Sequence, residues 1–147
     1  MNPPPGAPCV VAAVRRNVQR RIRAILPDCE LRFVETGAEL RRALDESACD
    51  LLIIGLHFDQ SSALQALQRV LARDENFPVV CVRGLPFARL GHSSLEASRL
   101  ALAELGAHNF IDLLQYPDDA LGNARVRAML DRLLPPPRSA STSCASR

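Results

Sequence analysis

Three side chains of the kinds used in hydrolase triads lie close together in the sequence, namely His57, Asp59 and Ser61. A Ser-His-Asp triad requires the histidine to contact both partners in a fixed geometry, which three residues of one short loop do not readily adopt. No G-x-S-x-G motif follows a predicted strand, and His57 has no cysteine, histidine or paired acid at metal-ligand spacing. The segment therefore predicts neither a hydrolase site nor a metal site.

Arginine supplies all of the positive charge, since the 147-residue sequence contains no lysine and has a formal net charge of +2. Lysine-dependent chemistry, such as a Schiff base or a Walker-type phosphate site, is thereby excluded. Arg16, Arg20 and Arg23 share one face of a predicted helix, an arrangement that can contact phosphates. Because the chain is nearly neutral and has one tyrosine and no tryptophan, we expect a solvated helix face and no nucleic-acid partner.

Five cysteines are spread along the chain without a C-x-x-C pair. An odd, widely spaced set is typical of buried free thiols in a reducing cytoplasm. The N-terminus lacks the charged and apolar regions of a signal peptide, and nowhere do about 18 apolar residues follow one another. We therefore expect a soluble, cytoplasmic protein without membrane contact.

Short apolar runs rich in β-branched residues alternate with segments of helical period, which is typical of parallel βαβ units. The five predicted strands are "CVVAAV", "ELRFVE", "DLLIIG", "FPVVCVRG" and "HNFIDLL". A helix is predicted after each strand. The second has a capping box at Thr36 and Glu39, the third is expected to begin at Ser62, and the fifth begins at Pro117.

Proline-rich segments without periodicity mark both ends of the chain, so we expect flexible tails at residues 1–7 and 135–147 and one folded unit at residues 8–134. Five βα units in a single domain predict the α/β class and a three-layer α/β/α sandwich. Helices would then cover both faces of a five-stranded parallel sheet. In such sheets the functional site lies outside the carboxyl ends of the strands.

Four segments resemble the receiver domains of bacterial response regulators. "ALAELGAHNFIDLL" is similar to the receiver segment A-x-x-x-GA-x-x-Y/F-L/I-x-K-P, and "DLLIIGLHFDQSSA" is similar to DLVLLD-x-x-M-P-x-x-S-G. "FPVVCVRG" resembles P-V-I-x-L-T-A, and "PDDALGNARVRAML" resembles the last receiver helix. The resemblance covers residues 9–134, and it implies a flavodoxin-like (βα)5 fold with parallel sheet order 2-1-3-4-5.

The receiver pattern implies a phosphorylation site whose chemical groups this sequence lacks. Gly55 stands at the phospho-acceptor position, and Val14 and Arg15 stand near the acidic pair that holds magnesium. Arg83 replaces the hydroxyl residue, and Leu113 replaces the lysine. Because a hard cation such as Mg²⁺ requires carboxylate and water ligands, the resemblance implies a degenerate member, a pseudo-receiver, that uses no metal and no cofactor.

The sequence leaves open what occupies the degenerate pocket. Asp59 is a candidate displaced acceptor, but without magnesium or lysine the charge of an incoming phosphoryl group would be uncompensated. Arg15 and Arg83 are expected at the same edge of the sheet. Their guanidinium groups could pair internally with Asp59 or Asp112, or could bind an anionic ligand such as a nucleotide.

The resemblance also implies how the protein acts. Receivers commonly associate through the fourth helix, fifth strand and fifth helix, so we expect a homodimer or a contact with another signalling protein through that surface. An insertion at 85–94 is expected to cover the former pocket or to present an aromatic residue to a partner. The predicted function is non-phosphorylatable, two-component-like signal transduction by protein contact, and the alternative is the sensing of a small anion. The candidate contact residues are Phe87, Leu95, Leu102, Phe110, Tyr116 and Val126.

Overall fold

The computed structural model describes residues 3–46, 48–55, 60–84, 100, 103–104, 106 and 108–136, and for residues 60–64 it describes the backbone alone. Strands and helices alternate along the described chain as far as the fourth strand, and the helix predicted after that strand lies largely outside the described residues. The strands are β1 (Cys9–Ala13), β2 (Glu30–Val34), β3 (Leu51–Gly55), β4 (Val79–Arg83) and β5 (Asn109–Asp112). The helices are α1 (Arg16–Ile25), α2 (Gly37–Glu46), α3 (Gln60–Arg73), a 3-10 turn (Leu113–Gln115) and the C-terminal helix (Ala120–Asp131).

All five strands pair in parallel in the order β2-β1-β3-β4-β5. This confirms the α/β fold and the sheet order expected from the sequence. The strand order reverses between β1 and β3, and both strands are almost completely buried because helices cover both faces. We call the edge formed by the last residues of the strands the carboxyl edge.

Two apolar cores lie on opposite faces of the sheet. On one face, α1 and the C-terminal helix contribute Val18, Ile22, Val126 and Leu130. On the other face, α2 and α3 contribute a second set, which includes Leu40, Ala43, Ala66 and Leu67. Successive strand residues alternate between these cores, as the period of two dictates. The described helices thus form the outer layers of the predicted sandwich.

Helix starts agree with the sequence only in part. The Thr36 hydroxyl accepts a hydrogen bond from the Glu39 backbone N–H at 3.1 Å, which is the first half of the predicted capping box. The Glu39 carboxylate accepts at 3.4 Å from the N–H of Glu35, one residue before the cap, so the second half differs from the prediction. The expected start of α3 at Ser62 is wrong, because the helix already begins at Gln60. A residue inside a helix cannot act as its N-cap.

The last βα unit also differs from the prediction. β5 ends at Asp112 and does not continue through Leu114, because residues 113–115 form a 3-10 turn. The C-terminal helix begins at Ala120 and not at Pro117, because Asp119 is its N-cap and accepts from the Gly122 N–H at 2.7 Å. The chain between β5 and this helix is therefore a structured connection.

Four cysteines lie in the described part of the chain, and all four are free thiols. Cys29 and Cys81 are buried as expected, but Cys9 and Cys49 are only half-buried. Burial raises the pKa of the Cys81 thiol to about 12, so this thiol stays protonated and unreactive at neutral pH. No described helix has the length and apolar character needed to cross a bilayer.

Candidate functional site

Gly55 is the last residue of β3, and Val14 follows β1 directly beside it. Val14 is completely buried, and a Cβ built on Gly55 would lie 3.3 Å from Val14 Cγ1. Gly55 does not have a positive φ, since Gly6 and Gly106 are the positive-φ glycines among the described residues. A side chain is therefore compatible with the backbone at position 55, and the local conformation does not require glycine there.

Arg83 and Asp112 are paired at the carboxyl edge. They are register partners at the ends of β4 and β5, and Arg83 Nη1 donates to Asp112 Oδ2 at 3.0 Å. Both side chains are largely buried, with exposed fractions of 17% and 14%. The other oxygen of Asp112 accepts from the Leu114 N–H at 3.0 Å. Asp112 thus neutralises Arg83 and caps the following 3-10 turn. The sequence left Asp59 and Asp112 open as internal partners of the arginines, and the structure pairs Arg83 with Asp112.

The other residues assigned to the degenerate pocket have different environments. Arg15 is exposed as the residue before α1, where its carbonyl accepts from the Val18 and Gln19 N–H groups. Leu113 is buried in the core beneath α1 and the C-terminal helix. His57 and Asp59 lie outside the described residues. At the described carboxyl edge, the structure therefore brings Val14 to Gly55 and places Arg83 against Asp112.

The side chain of Arg21 links α1 to the segment between β5 and the C-terminal helix, and the sequence analysis did not identify this contact. This α1 residue has only 12% of its side chain exposed. Its guanidinium donates to the carbonyl oxygens of Leu113 at 2.7 Å, Tyr116 at 2.7 Å and Pro117 at 3.0 Å, and to Asn123 Oδ1 at 3.0 Å. One arginine thereby fixes the connection between β5 and the C-terminal helix against α1.

The predicted contact surface is only partly accessible. Phe110 and Tyr116 are half-buried, and the Tyr116 hydroxyl lies 3.8 Å from Met129 Sδ. Val126 is wrongly assigned to this surface, because it faces inward and is completely buried in the core. Exposed leucines are present instead at Leu114 and Leu121, which are 45% and 66% exposed.

Other sequence predictions for this surface fall outside the described part of the chain. Phe87, with the insertion at 85–94, lies there, as do Leu95 and Leu102. Leu100, which is described, is 60% exposed. No group of three or more His, Cys, Asp or Glu residues that could hold a metal ion occurs among the described residues.

A double-mutant cycle is expected to detect the Arg83–Asp112 pair. Arg83→Met and Asp112→Asn should each destabilise the fold, and the double variant should lose less than the sum. The expected coupling is about 1.5 kcal/mol, because the pair is mostly withdrawn from solvent. Urea unfolding of the wild-type protein, the two single variants and the double variant measures this coupling.

The exposed pair Arg16–Glu35, at 3.4 Å, is the control, with an expected coupling below about 0.5 kcal/mol. Additive losses at Arg83 and Asp112 would contradict the pairing.

No protein-family model matches the sequence. No curated protein matches it significantly. Among solved structures, the chain is similar to the signal receiver domain of an HD domain-containing protein from Pseudomonas fluorescens Pf-5. That match has 18% identity and a TM-score of 0.59, and it covers 86% of this chain and 97% of that domain.

Two further solved structures have the same fold. The response regulator TrrA from Thermotoga maritima, in complex with Mg²⁺ and BeF, is 14% identical with a TM-score of 0.58, and the match covers 87% of this chain and 99% of TrrA. NtrX from Brucella abortus is 18% identical with a TM-score of 0.64, and the match covers 97% of this chain but 28% of NtrX. At these identities the likeness establishes the fold, which is that of receiver domains.

Proposed function

We propose that the protein is a pseudo-receiver, which transmits a signal by contact with another protein and does not transfer phosphoryl groups. The observation that carries the proposal is the apolar contact between Gly55 and Val14 at the carboxyl edge of the sheet. In the receiver pattern that the sequence resembles, this position holds the nucleophilic carboxylate and its neighbour helps to hold magnesium. Here the glycine lies beside a completely buried valine.

Phosphoryl transfer depends on positioning and on charge stabilisation, both of which a receiver obtains from its metal ion and its lysine. The positions that correspond to the lysine and to the hydroxyl residue in the resemblance have other roles in this fold. Leu113 is part of an apolar core, and Arg83 is paired with Asp112. Support for a non-catalytic role thus comes from three positions with separate structural environments, and not from the missing acid alone.

The sensing of a small anion at Arg15 and Arg83 has less support. Asp112 already neutralises Arg83 at 3.0 Å, so an anion would have to compete with an internal carboxylate. Arg15 is exposed at the start of α1 and is not buried with Arg83. The anion sensor therefore has weaker support than the pseudo-receiver function.

The proposed contact surface includes β5 and the C-terminal helix. Leu114 and Leu121 are large, apolar and substantially exposed, and they flank the connection that Arg21 fixes. Exposed apolar side chains on a fixed backbone are suited to a protein partner, because little entropy is lost when they are buried. The partner is proposed to be another signalling protein or a second copy of this chain, in a reducing cytoplasm.

Incubation with acetyl phosphate and Mg²⁺ is expected to leave the mass of the intact protein unchanged. A catalytically active receiver treated in parallel should gain the mass of one phosphoryl group. Gly55→Asp is the informative variant, since its backbone has no positive φ and a Cβ 3.3 Å from Val14 Cγ1 requires the valine side chain to move by only a few tenths of an ångström. We expect this variant to remain unmodified, because an acid alone provides neither a metal site nor a compensating cation.

Phosphorylation of the wild-type protein would overturn the proposed function. Tandem mass spectrometry would then locate the group, and modification of Asp59 would identify it as a displaced acceptor. If the Gly55→Asp variant is phosphorylated and the wild-type protein is not, the missing acid is all that prevents phosphorylation. That result would contradict the inference from the environments of Val14, Arg83 and Leu113.

A further inference from the structure

A groove lies between α2 and α3, on the opposite face of the sheet from α1 and the C-terminal helix. Its cavity has a volume of about 470 Å³, which is within the usual range for sites that bind ligands or peptide side chains. The described part of α3 lines the groove from Gln65 to Arg73. At a rise of about 1.5 Å per residue this length corresponds to about two turns of a helix.

The groove has an apolar floor and a positively charged rim. Leu44 and Val70 are half-buried in its lining, and Ala66 is buried. Arg41, Arg69 and Arg73 also line it, and all three are exposed. Asp45 is the acid among the lining residues, and its carboxylate lies 4.0 Å from Arg73. The lining therefore has three positive charges and one negative charge.

We propose that this groove binds an acidic amphipathic helix of a partner protein. Apolar side chains on one face of that helix would contact Leu44, Ala66 and Val70, and glutamate or aspartate residues beside them would pair with the rim arginines. This arrangement is the usual one when a helix docks in a groove, with anchors at helical spacing and charged flanks. The inference rests on the proposed function, since it assigns a partner class to a signalling domain.

The form of the groove favours a helix over other acidic partners. A site for a small anion needs cationic groups that converge in a secluded space, whereas the arginines here are exposed along the rim. Duplex nucleic acid offers phosphates but no apolar side chains for Leu44 and Val70. The C-terminal segment of this chain, "PPPRSASTSCASR", contains arginine and no acid, so its charge does not complement the groove.

The test uses a fluorescein-labelled synthetic helix with leucine at positions i, i+3, i+4 and i+7 and glutamate on both flanks. Fluorescence anisotropy should show binding that weakens as salt is raised. In ¹⁵N spectra of the full chain, the peptide should shift the amide signals of Leu44, Ala66 and Val70. A peptide of the same composition in scrambled order, which is not amphipathic, should bind at least tenfold more weakly.

Charge reversal supplies the matched control. Arg41→Glu/Arg69→Glu should weaken peptide binding about tenfold or more, because two attractions are replaced by two repulsions. Arg20→Glu/Arg125→Glu makes the same change at exposed positions of α1 and the C-terminal helix, and it should change the affinity less than twofold. All four positions are exposed, so both double variants should keep the wild-type melting temperature, which circular dichroism checks.

Several results would overturn the proposal: no binding, equal binding of the scrambled peptide, equal losses in the two double variants, or displacement of the peptide by duplex DNA. If the amide signals of the groove residues shift when the protein alone is diluted, the occupant is a second copy of the chain. That result also overturns the proposal. None of these outcomes changes the mass measurement with acetyl phosphate. A failure here is therefore distinguishable from a failure of the proposed function.

Discussion

Replacement of Arg21 by methionine is expected to lower the free energy of unfolding by about 3 kcal/mol. The variant keeps most of the apolar stem but removes the donors to the carbonyls of Leu113, Tyr116 and Pro117. These acceptors would be left without their charged donor in a partly buried region. For a domain of this size, the melting temperature should fall by roughly 10 °C.

Two substitutions separate the geometry of Arg21 from its charge. Arg21→Lys keeps the charge, but its compact ammonium group cannot reach acceptors spread over several residues, so we expect a loss of about 2 kcal/mol. Arg20→Met removes the neighbouring exposed arginine and should change stability by less than about 0.5 kcal/mol. Urea unfolding measures all three. Equal, small losses at both positions would show that the Arg21 contacts contribute nothing.

Contacts between distant residues explain why Arg21 was not predicted. Its carbonyl partners are 92 to 96 residues further along the chain, and no local pattern specifies them. A local signal does exist, since Arg21 lies three residues after Val18 and four before Ile25, on the buried face of α1. A charged residue at a buried periodic position requires a partner. The position of Arg21 thus carries a local signal for a buried partner, but the signal does not identify that partner.

The fold was more predictable than the site because strand patterns are local and the sheet order followed from the resemblance. The β-rich apolar runs located all five strands within two residues at each end, and the end of β5 was placed two residues too late because its apolar residues continue into the 3-10 turn. The carboxyl edge then brought Gly55 to Val14, as the topology requires. The choice of Asp112 as the partner of Arg83 depends on the β4–β5 register, which the sequence alone does not determine.

Helix starts were the least predictable local feature. Ser62 and Gln65 satisfy the spacing of a capping box, but the pattern is short and α3 begins two residues earlier. After β5, proline and two aspartates are all common near helix starts. Among these residues Asp119 is the N-cap, because its carboxylate accepts a hydrogen bond from the Gly122 N–H at 2.7 Å. That choice also places Gly122 against the preceding turn.

Gly122→Ala is expected to destabilise the protein by about 3 kcal/mol, and the cause is steric. A Cβ on Gly122 would overlap the carbonyl oxygen of Pro117 and lie 2.9 Å from its carbonyl carbon. These are backbone atoms, so they cannot rotate away as the end of a side chain can. To make room, the turn must move, which would disturb the Arg21 contact with Pro117 and the Asp119 cap.

Two other glycines provide a graded control for the same substitution. At Gly84 the added Cβ would lie 2.7 Å from Val18 Cγ2, and at Gly55 it would lie 3.3 Å from Val14 Cγ1. None of the three has a positive φ, so alanine is compatible with each backbone and the comparison isolates sterics. Gly84→Ala should cost about 1.5 kcal/mol, since Val18 must shift, and Gly55→Ala about 0.5 kcal/mol or less. Unfolding curves that rank the variants otherwise would contradict the packing described for Gly122. Equal losses at all three sites would instead point to a general effect of alanine on the unfolded chain.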